Sequence, residues 1–173
     1  ILVTDGVFTA FGPGLAQQYE AQGGDLAAIE VVDLGGKLVC PPFCDTHLHL
    51  DYVFTARKPG AVNESGTLFE GIQRWSETKS DLTVDEIKQR AKIGIKKEML
   101  HGVQLIRSHA DVTDPNLTSL KALLELKEEL KDTVTLQIVS FPQEGMYSYE
   151  GPHGESGADL VEEGLKMGAD CVG

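Results

Sequence analysis

Residues Phe43–Asp51 read "FCDTHLHLD", and ionisable groups fall at every second position: Asp45, His47, His49 and Asp51. Side chains alternate between the two faces of a strand. Strand conformation therefore predicts these four on one face, with Thr46, Leu48 and Leu50 on the other. Two imidazoles about 7 Å apart along such a face can converge on one ion. Histidine nitrogen suits Zn²⁺ and Fe²⁺, and a catalytic site adds at least one more protein ligand and an open position for water. His47 and His49 are thus candidate metal ligands. Asp45 is the candidate carboxylate that supports an imidazole from behind. Two histidines on an exposed strand would give the same motif, so the surroundings must decide.

Working outward, "VVDLGGKLV" and Pro41-Pro42 precede the motif, and a change of pattern follows it. Thr83 with Glu86 forms a capping box that opens a helix running to about Leu100, closed by His101-Gly102. "VQLIRSHAD" (103–111) reads as a strand. Asp114-Pro115 is expected to cap the next helix, with the proline at its first position and Leu117, Leu120, Leu123, Leu124 and Leu130 as its apolar stripe. "TVTLQIVSF" (133–141) is another strand, a helix is predicted over about 156–167, and "ADCVG" begins a fourth strand. Strands alternating with helices signify βα units and a parallel sheet.

Two architectures compete for such units. A doubly wound nucleotide-binding sheet wants a glycine-rich first turn, and neither G-x-G-x-x-G nor a P-loop is present. A (β/α)8 barrel places its chemistry at the carboxyl ends of the strands. His47, His49, His109, Asp111 and Gln143 all follow or end predicted strands, which favours the barrel. The expected fold is therefore α/β: a partial (β/α)8 barrel, its first three to four units, over residues 40–173. Residues 1–39, rich in Val, Ile, Gly and Asp, read as short strands joined by glycine turns, with a loop over Tyr19–Leu26.

Composition narrows the function. The 173 residues carry a formal net charge of −12 and no basic stripe, which argues against a nucleic-acid partner. No apolar run approaches the roughly 18 residues that a membrane span needs. Three cysteines, Cys40, Cys44 and Cys171, fit no disulfide framework and suggest a reducing, cytoplasmic setting. Cys40 and Cys44 are expected to be small buried residues. The chain starts at Ile1 and stops at Gly173 inside an apolar run, so both ends read as cut.

"VVDLGGKLVCPPFCDTHLHLD" resembles the start of the barrel in the amidohydrolase superfamily. With "SGTLFEGIQRW" (65–75), "RSHADV" (107–112) and "FPQEG" (141–145), the chain is similar to the bacterial cytosine deaminases within it. The resemblance implies one divalent metal ion, Fe²⁺ or Zn²⁺, held in part by His47 and His49. It implies a free nucleobase as substrate, cytosine becoming uracil plus ammonia. Gln143, with both donor and acceptor on its amide, would read the base, and Leu68 would pack on the base face. Apart from the resemblance, His109 shares strand parity with Arg107 and Asp111 and reads either as support for the ligands from behind, as Asp45 does, or as a hydrogen-bonded histidine of the barrel interior. Residues 1–39 would be part of a small β-sandwich. The remaining ligands and the proton-moving groups of that family belong to later strands, so no catalytic residue is assigned within these 173 positions. A homo-oligomer is expected. Isoguanine, creatinine or a triazine-type ring are alternative substrates, and a non-catalytic fragment with an incomplete metal site is an alternative of another kind. The H-x-E and P-C-x-x-C signature of the other zinc deaminases is absent.

Overall fold

The computed structural model describes residues 1–173 and divides into two compact units, Ile1–Cys40 and Pro41–Gly173. In the first unit β1 (Leu2–Thr4) and β2 (Val7–Ala10) form an antiparallel hairpin. Asp5 and Gly6 make its turn, both at positive φ, the conformation a two-residue hairpin loop demands.

Two expectations for this unit change. The polar stretch expected as a loop begins inside a helix, α1 (Leu15–Ala21), and a single 3₁₀ turn covers Leu26–Ala28. Leu, Ala, Gln and Glu are good helix formers even where no apolar stripe advertises them. Gly23 and Gly24 stop the helix, and the Gly24 N–H returns to the Tyr19 carbonyl at 2.9 Å. The second expected strand region, "AIEVVDLGGKLV", carries no strand. A strand exists only where a neighbour supplies the ladder. Here Val31 and Val32 stand 65 % exposed, without one.

The second unit is built from βα units. After β3 (Phe43–Leu48) come α2 (Leu68–Lys79) and α3 (Val84–Leu100), then β4 (Val103–Asp111), α4 (Thr118–Glu129), β5 (Thr135–Phe141), α5 (Gly157–Met167) and β6 (Cys171–Val172). The four strands form one parallel sheet in the order β3-β4-β5-β6. Sequence order and spatial order coincide, as in the opening units of a barrel.

One face of this sheet is closed by helices. Ile106, Ala110, Leu136 and Ile138 pack in one core with Ile87, Ala91 and Ile95 of α3, Leu120, Leu123 and Leu126 of α4, and Leu160 and Val161 of α5. Each Ile, Leu or Val among them, fully buried, contributes about 1.5–3 kcal/mol. Gly164 lets α5 come close: a Cβ there would sit 2.5 Å from the Ser140 hydroxyl. Along β4 the alternation is plain: Ile106, Ser108 and Ala110 are buried, while Leu105 and Arg107 are exposed and His109 half-buried.

The capping box at α3 is formed as expected, Thr83 and Glu86 serving each other. The start of α4 is not as expected. Pro115 stays outside the helix, and Leu117 caps it in the left-handed conformation with φ 50°. Asp114 still caps, but from the turn, its carboxylate accepting the N–H groups of Asn116 and Thr118 at 3.0 Å each. Cys40 and Cys44, expected inside, are both exposed. Cys44 lies on β3, whose second edge is unpaired in this sheet.

Candidate active site

The parallel register brings the histidines together. Leu48 of β3 pairs with Ser108 of β4, which sets His47 and His49 beside His109. The His47 and His109 rings stack at a centroid distance of 4.0 Å, and His49 lies 5.3 Å from the first and 5.4 Å from the second. Phe141, at the end of β5, meets His49 and His109 edge-on at 5.6 and 5.5 Å. Tyr52 stacks on the outer side of His49 at 4.5 Å and leans on Trp75 of α2. The three imidazoles thus share one place at the carboxyl ends of β3 and β4.

The alternation expected for the motif fails before β3 ends at Leu48. An irregular register between Asp45 and Leu48 breaks the ideal pleat. Asp45 turns its carboxylate onto the backbone N–H of His47 at 3.0 Å, so it fixes the main chain and not an imidazole. Asp51 leaves the strand face and is fully buried. There it accepts the N–H groups of Asp111 at 2.9 Å and Tyr52 at 3.1 Å. Ser108 receives the Leu50 N–H, and Arg90 of α3 donates to the carbonyls of Val53 and Asp51. The turn that follows the histidines is therefore pinned from both sides.

Burial disfavours the charged forms of His49 and His109. Burial, then the neighbouring His109 and His47, push His49 down to about 4. Burial likewise lowers His109, with His47 adding to the effect. Burial pushes the Asp51 carboxyl up to about 7, against the pull of the Asp111 N–H. His49 Nδ1 lies 4.0 Å from Asp51, too far for a hydrogen bond. Both shifts favour the neutral forms, so His49 and Asp51 are not held together as an ion pair. Neutral imidazole is the form that ligates metals. The Nδ1 atoms of His49 and His109 are buried without a hydrogen-bond partner. Such orphaned acceptors fit an ion, although no three His, Cys, Asp or Glu side chains are arranged as a ready coordination sphere.

Gln143 follows β5 in a tight turn. Its N–H returns to the Phe141 carbonyl at 3.1 Å, and the Gly145 N–H reaches Pro142 at 2.8 Å. Leu68 is the first residue of α2 and is 74 % exposed. The loop before it is tied by Glu70, whose carboxylate accepts the N–H groups of Glu64 and Ser65 at 3.1 and 2.6 Å. No contact brings Gln143 or Leu68 onto the imidazoles. Gln143 lies two residues beyond Phe141, and Leu68 opens the helix whose Trp75 meets Tyr52.

The sequence reading missed a second polar cluster. Lys79 of α2, 11 % exposed, donates to Asp111 at 3.1 Å and Glu144 at 2.5 Å, and to the Thr113 hydroxyl at 3.0 Å. Asp111 also accepts the Trp75 indole N–H at 2.7 Å. Asp111 was legible as a strand-end carboxylate. Its partners lie more than thirty residues away in the chain, and no spacing rule points to them.

A model of the amidohydrolase family matches residues 30–167. The chain belongs to the amidohydrolase family. Among solved structures it resembles the 5-methylcytosine deaminase from Klebsiella pneumoniae liganded with phosphonocytosine. That match has 46 % identity and a TM-score of 0.73, covering 84 % of this chain and 35 % of the other. Among curated relatives it is 35 % identical to N-isopropylammelide isopropyl amidohydrolase from Pseudomonas sp. (strain ADP), over 82 % of this chain and 35 % of that one. It is 27 % identical to the pterin deaminase of Rhizobium rhizogenes, over 77 % of this chain and 31 % of the other. The chain thus spans about a third of the length of the relatives it matches. No helix is long and apolar enough to cross a membrane.

Proposed function

We propose that this amidohydrolase is a metal-dependent deaminase of a free cytosine-type base. Water replaces the exocyclic amine, and cytosine plus water gives uracil plus ammonia. The observation that carries this reading is the cluster of His47, His49 and His109 at the strand ends, with the Nδ1 atoms of His49 and His109 buried and unpaired. The likeness to a cytosine-type deaminase at 46 % identity supports the choice of base.

A divalent ion, Fe²⁺ or Zn²⁺, would supply there the acidity that makes water a nucleophile near neutral pH. His47 and His49 would offer it two imidazole nitrogen donors, and His109 holds the plane of the His47 ring by stacking. Asp45 fixes the main chain at His47. Gln143 engages its turn through its backbone N–H, which leaves its amide for the donor and acceptor edge of the base. Leu68, exposed at the start of α2, gives an apolar contact for the ring face. In this reading the parallel units are the first part of a (β/α)8 barrel, and the β1–β2 hairpin is part of a small β-sandwich.

A second reading keeps the chemistry and changes the ring. The 35 % identity to an enzyme named for N-isopropylammelide favours a triazine-type substrate. Ammonia or amine release from cytosine, 5-methylcytosine, isoguanine, creatinine and N-isopropylammelide separates the two. We expect turnover of cytosine or its 5-methyl derivative, with a raised KM in Gln143→Ala. Turnover of the triazine alone, or a Gln143→Ala variant that handles cytosine like the wild type, overturns the first reading.

A further inference from the structure

The cluster around Lys79 lies outside the imidazoles and has no part in the chemistry above. An ammonium group has three N–H donors. All three of Lys79 are committed, to Asp111 at the end of β4, to Thr113 in the loop after it, and to Glu144 in the turn after β5. Ser76, one helical turn earlier on the same face of α2, donates to the same Glu144 oxygen at 2.9 Å. Glu144 is thus gripped twice by α2. It is the residue next to Gln143. The turn is closed behind it by the Gly145 N–H on Pro142 and by the Ser148 hydroxyl on the Glu144 carbonyl at 2.8 Å.

The far end of α2 carries Leu68. One helix therefore presents an apolar side chain at its first residue and holds the Gln143 turn at its last. We propose that Lys79 and Glu144 are positioning residues that set the Gln143 amide against the base, with α2 fixing Leu68 and Gln143 relative to one another. The inference rests on the proposed reading of Gln143 as a base-binding residue. Lys79 and Glu144 touch no reacting atom. Their role is to spare the turn the entropy of ordering when substrate arrives, and that saving appears in affinity.

Glu144 is the better residue to change, because Lys79 keeps Asp111 as a partner when Glu144 is lost. In Glu144→Ala we expect KM for the base to rise about tenfold, a loss of ~1.4 kcal/mol of binding, with kcat much less affected. Glu144→Gln keeps an oxygen acceptor for Lys79 and Ser76 and should recover most of the loss. Bound metal should match the wild type in both. Amide exchange over residues 143–149, read without substrate, should quicken in Glu144→Ala and return towards wild type in Glu144→Gln. Unchanged KM and unchanged exchange in Glu144→Ala overturn the proposal, as does a loss that falls equally on kcat and on bound metal. The two ideas fail differently. A wild type that turns over no cytosine-type base sinks the substrate reading and this role with it. A wild type that does, beside a Glu144→Ala variant with the same KM, sinks the positioning role alone.

Discussion

The two faces of the β3–β6 sheet follow opposite rules. Beneath α3, α4 and α5 the strands present Ile106, Ala110, Leu136 and Ile138, all at most 3 % exposed. On the other face the same strands present Leu105 at 40 % exposure, then Arg107, with His109 towards the end. One face is filled by close packing and the other is open except at its carboxyl end. There Asp51 and Asp111 are again buried, under Tyr52, Trp75 and Lys79. Stability is concentrated where helices cover the sheet, and ionisable chemistry where α2 roofs the strand ends. A single β-strand can serve both because its side chains alternate.

The largest effect should come from the roofed end. Asp111→Ala leaves the Trp75 N–H and both donors of Thr113 without their acceptor, and takes one of two carboxylates from Lys79. A loss of ~3–5 kcal/mol is expected, as for breaking a buried charged pair, read as a shifted denaturation midpoint. A loss below ~1 kcal/mol would mean that the end of β4 is not held by this cluster. Next comes the contrast between the faces themselves. Ile138→Ala, under the helices, should cost ~2–5 kcal/mol, whereas Arg107→Ala on the open face should stay within ~0.5 kcal/mol. Equal costs would show that the open face is covered in solution by something that buries Arg107.

The histidines should break stability and function apart. His47 is exposed and His49 half-buried, so alanine at either position should change unfolding free energy by less than ~1 kcal/mol. Bound metal should fall to a small fraction, and activity by more than ~100-fold, beyond what loss of a supporting contact causes. Metal analysis beside a denaturation curve checks both. Full metal retention in His47→Ala and His49→Ala together would remove them as ligands.

What was legible in the sequence was local. Thr83 and Glu86 mark the start of α3 because a capping box is complete within four residues. The alternation in "VQLIRSHAD" and "TVTLQIVSF" gives β4 and β5, and His47 and His49 announce themselves by proximity. What was missed depends on partners distant in the chain or on a choice among local signals. Pro115 is a common first residue of a helix, but Asp114 makes a turn there and Leu117 takes positive φ instead. The stretch 29–39 has strand-forming residues without a neighbouring strand. Lys79 reads as one more helix lysine until β4 and the β5 turn fold against it.

The smallest effect tests how α2 is anchored at its outer end. Glu70 is half-buried, and hydrogen bonds from Ser65 and Glu64 pull its carboxyl down to about 2, with Arg74 helping. Its folded value lies below the ordinary carboxylate value of 4.5. The sign follows: the contribution is fully present above pH 4.5 and is lost as pH falls through about 2. A carboxyl NMR titration should show that low midpoint, and the amides of Glu64 and Ser65 should shift with it. Glu70→Gln should abolish that coupled movement while leaving α3 and its own capping box unaffected. A Glu70 midpoint near 4.5 would mean that the loop ahead of Leu68 is not tied down in solution. In that case α2 would be anchored through Trp75, Ser76 and Lys79 alone, and Leu68 could not act as a fixed contact for a base.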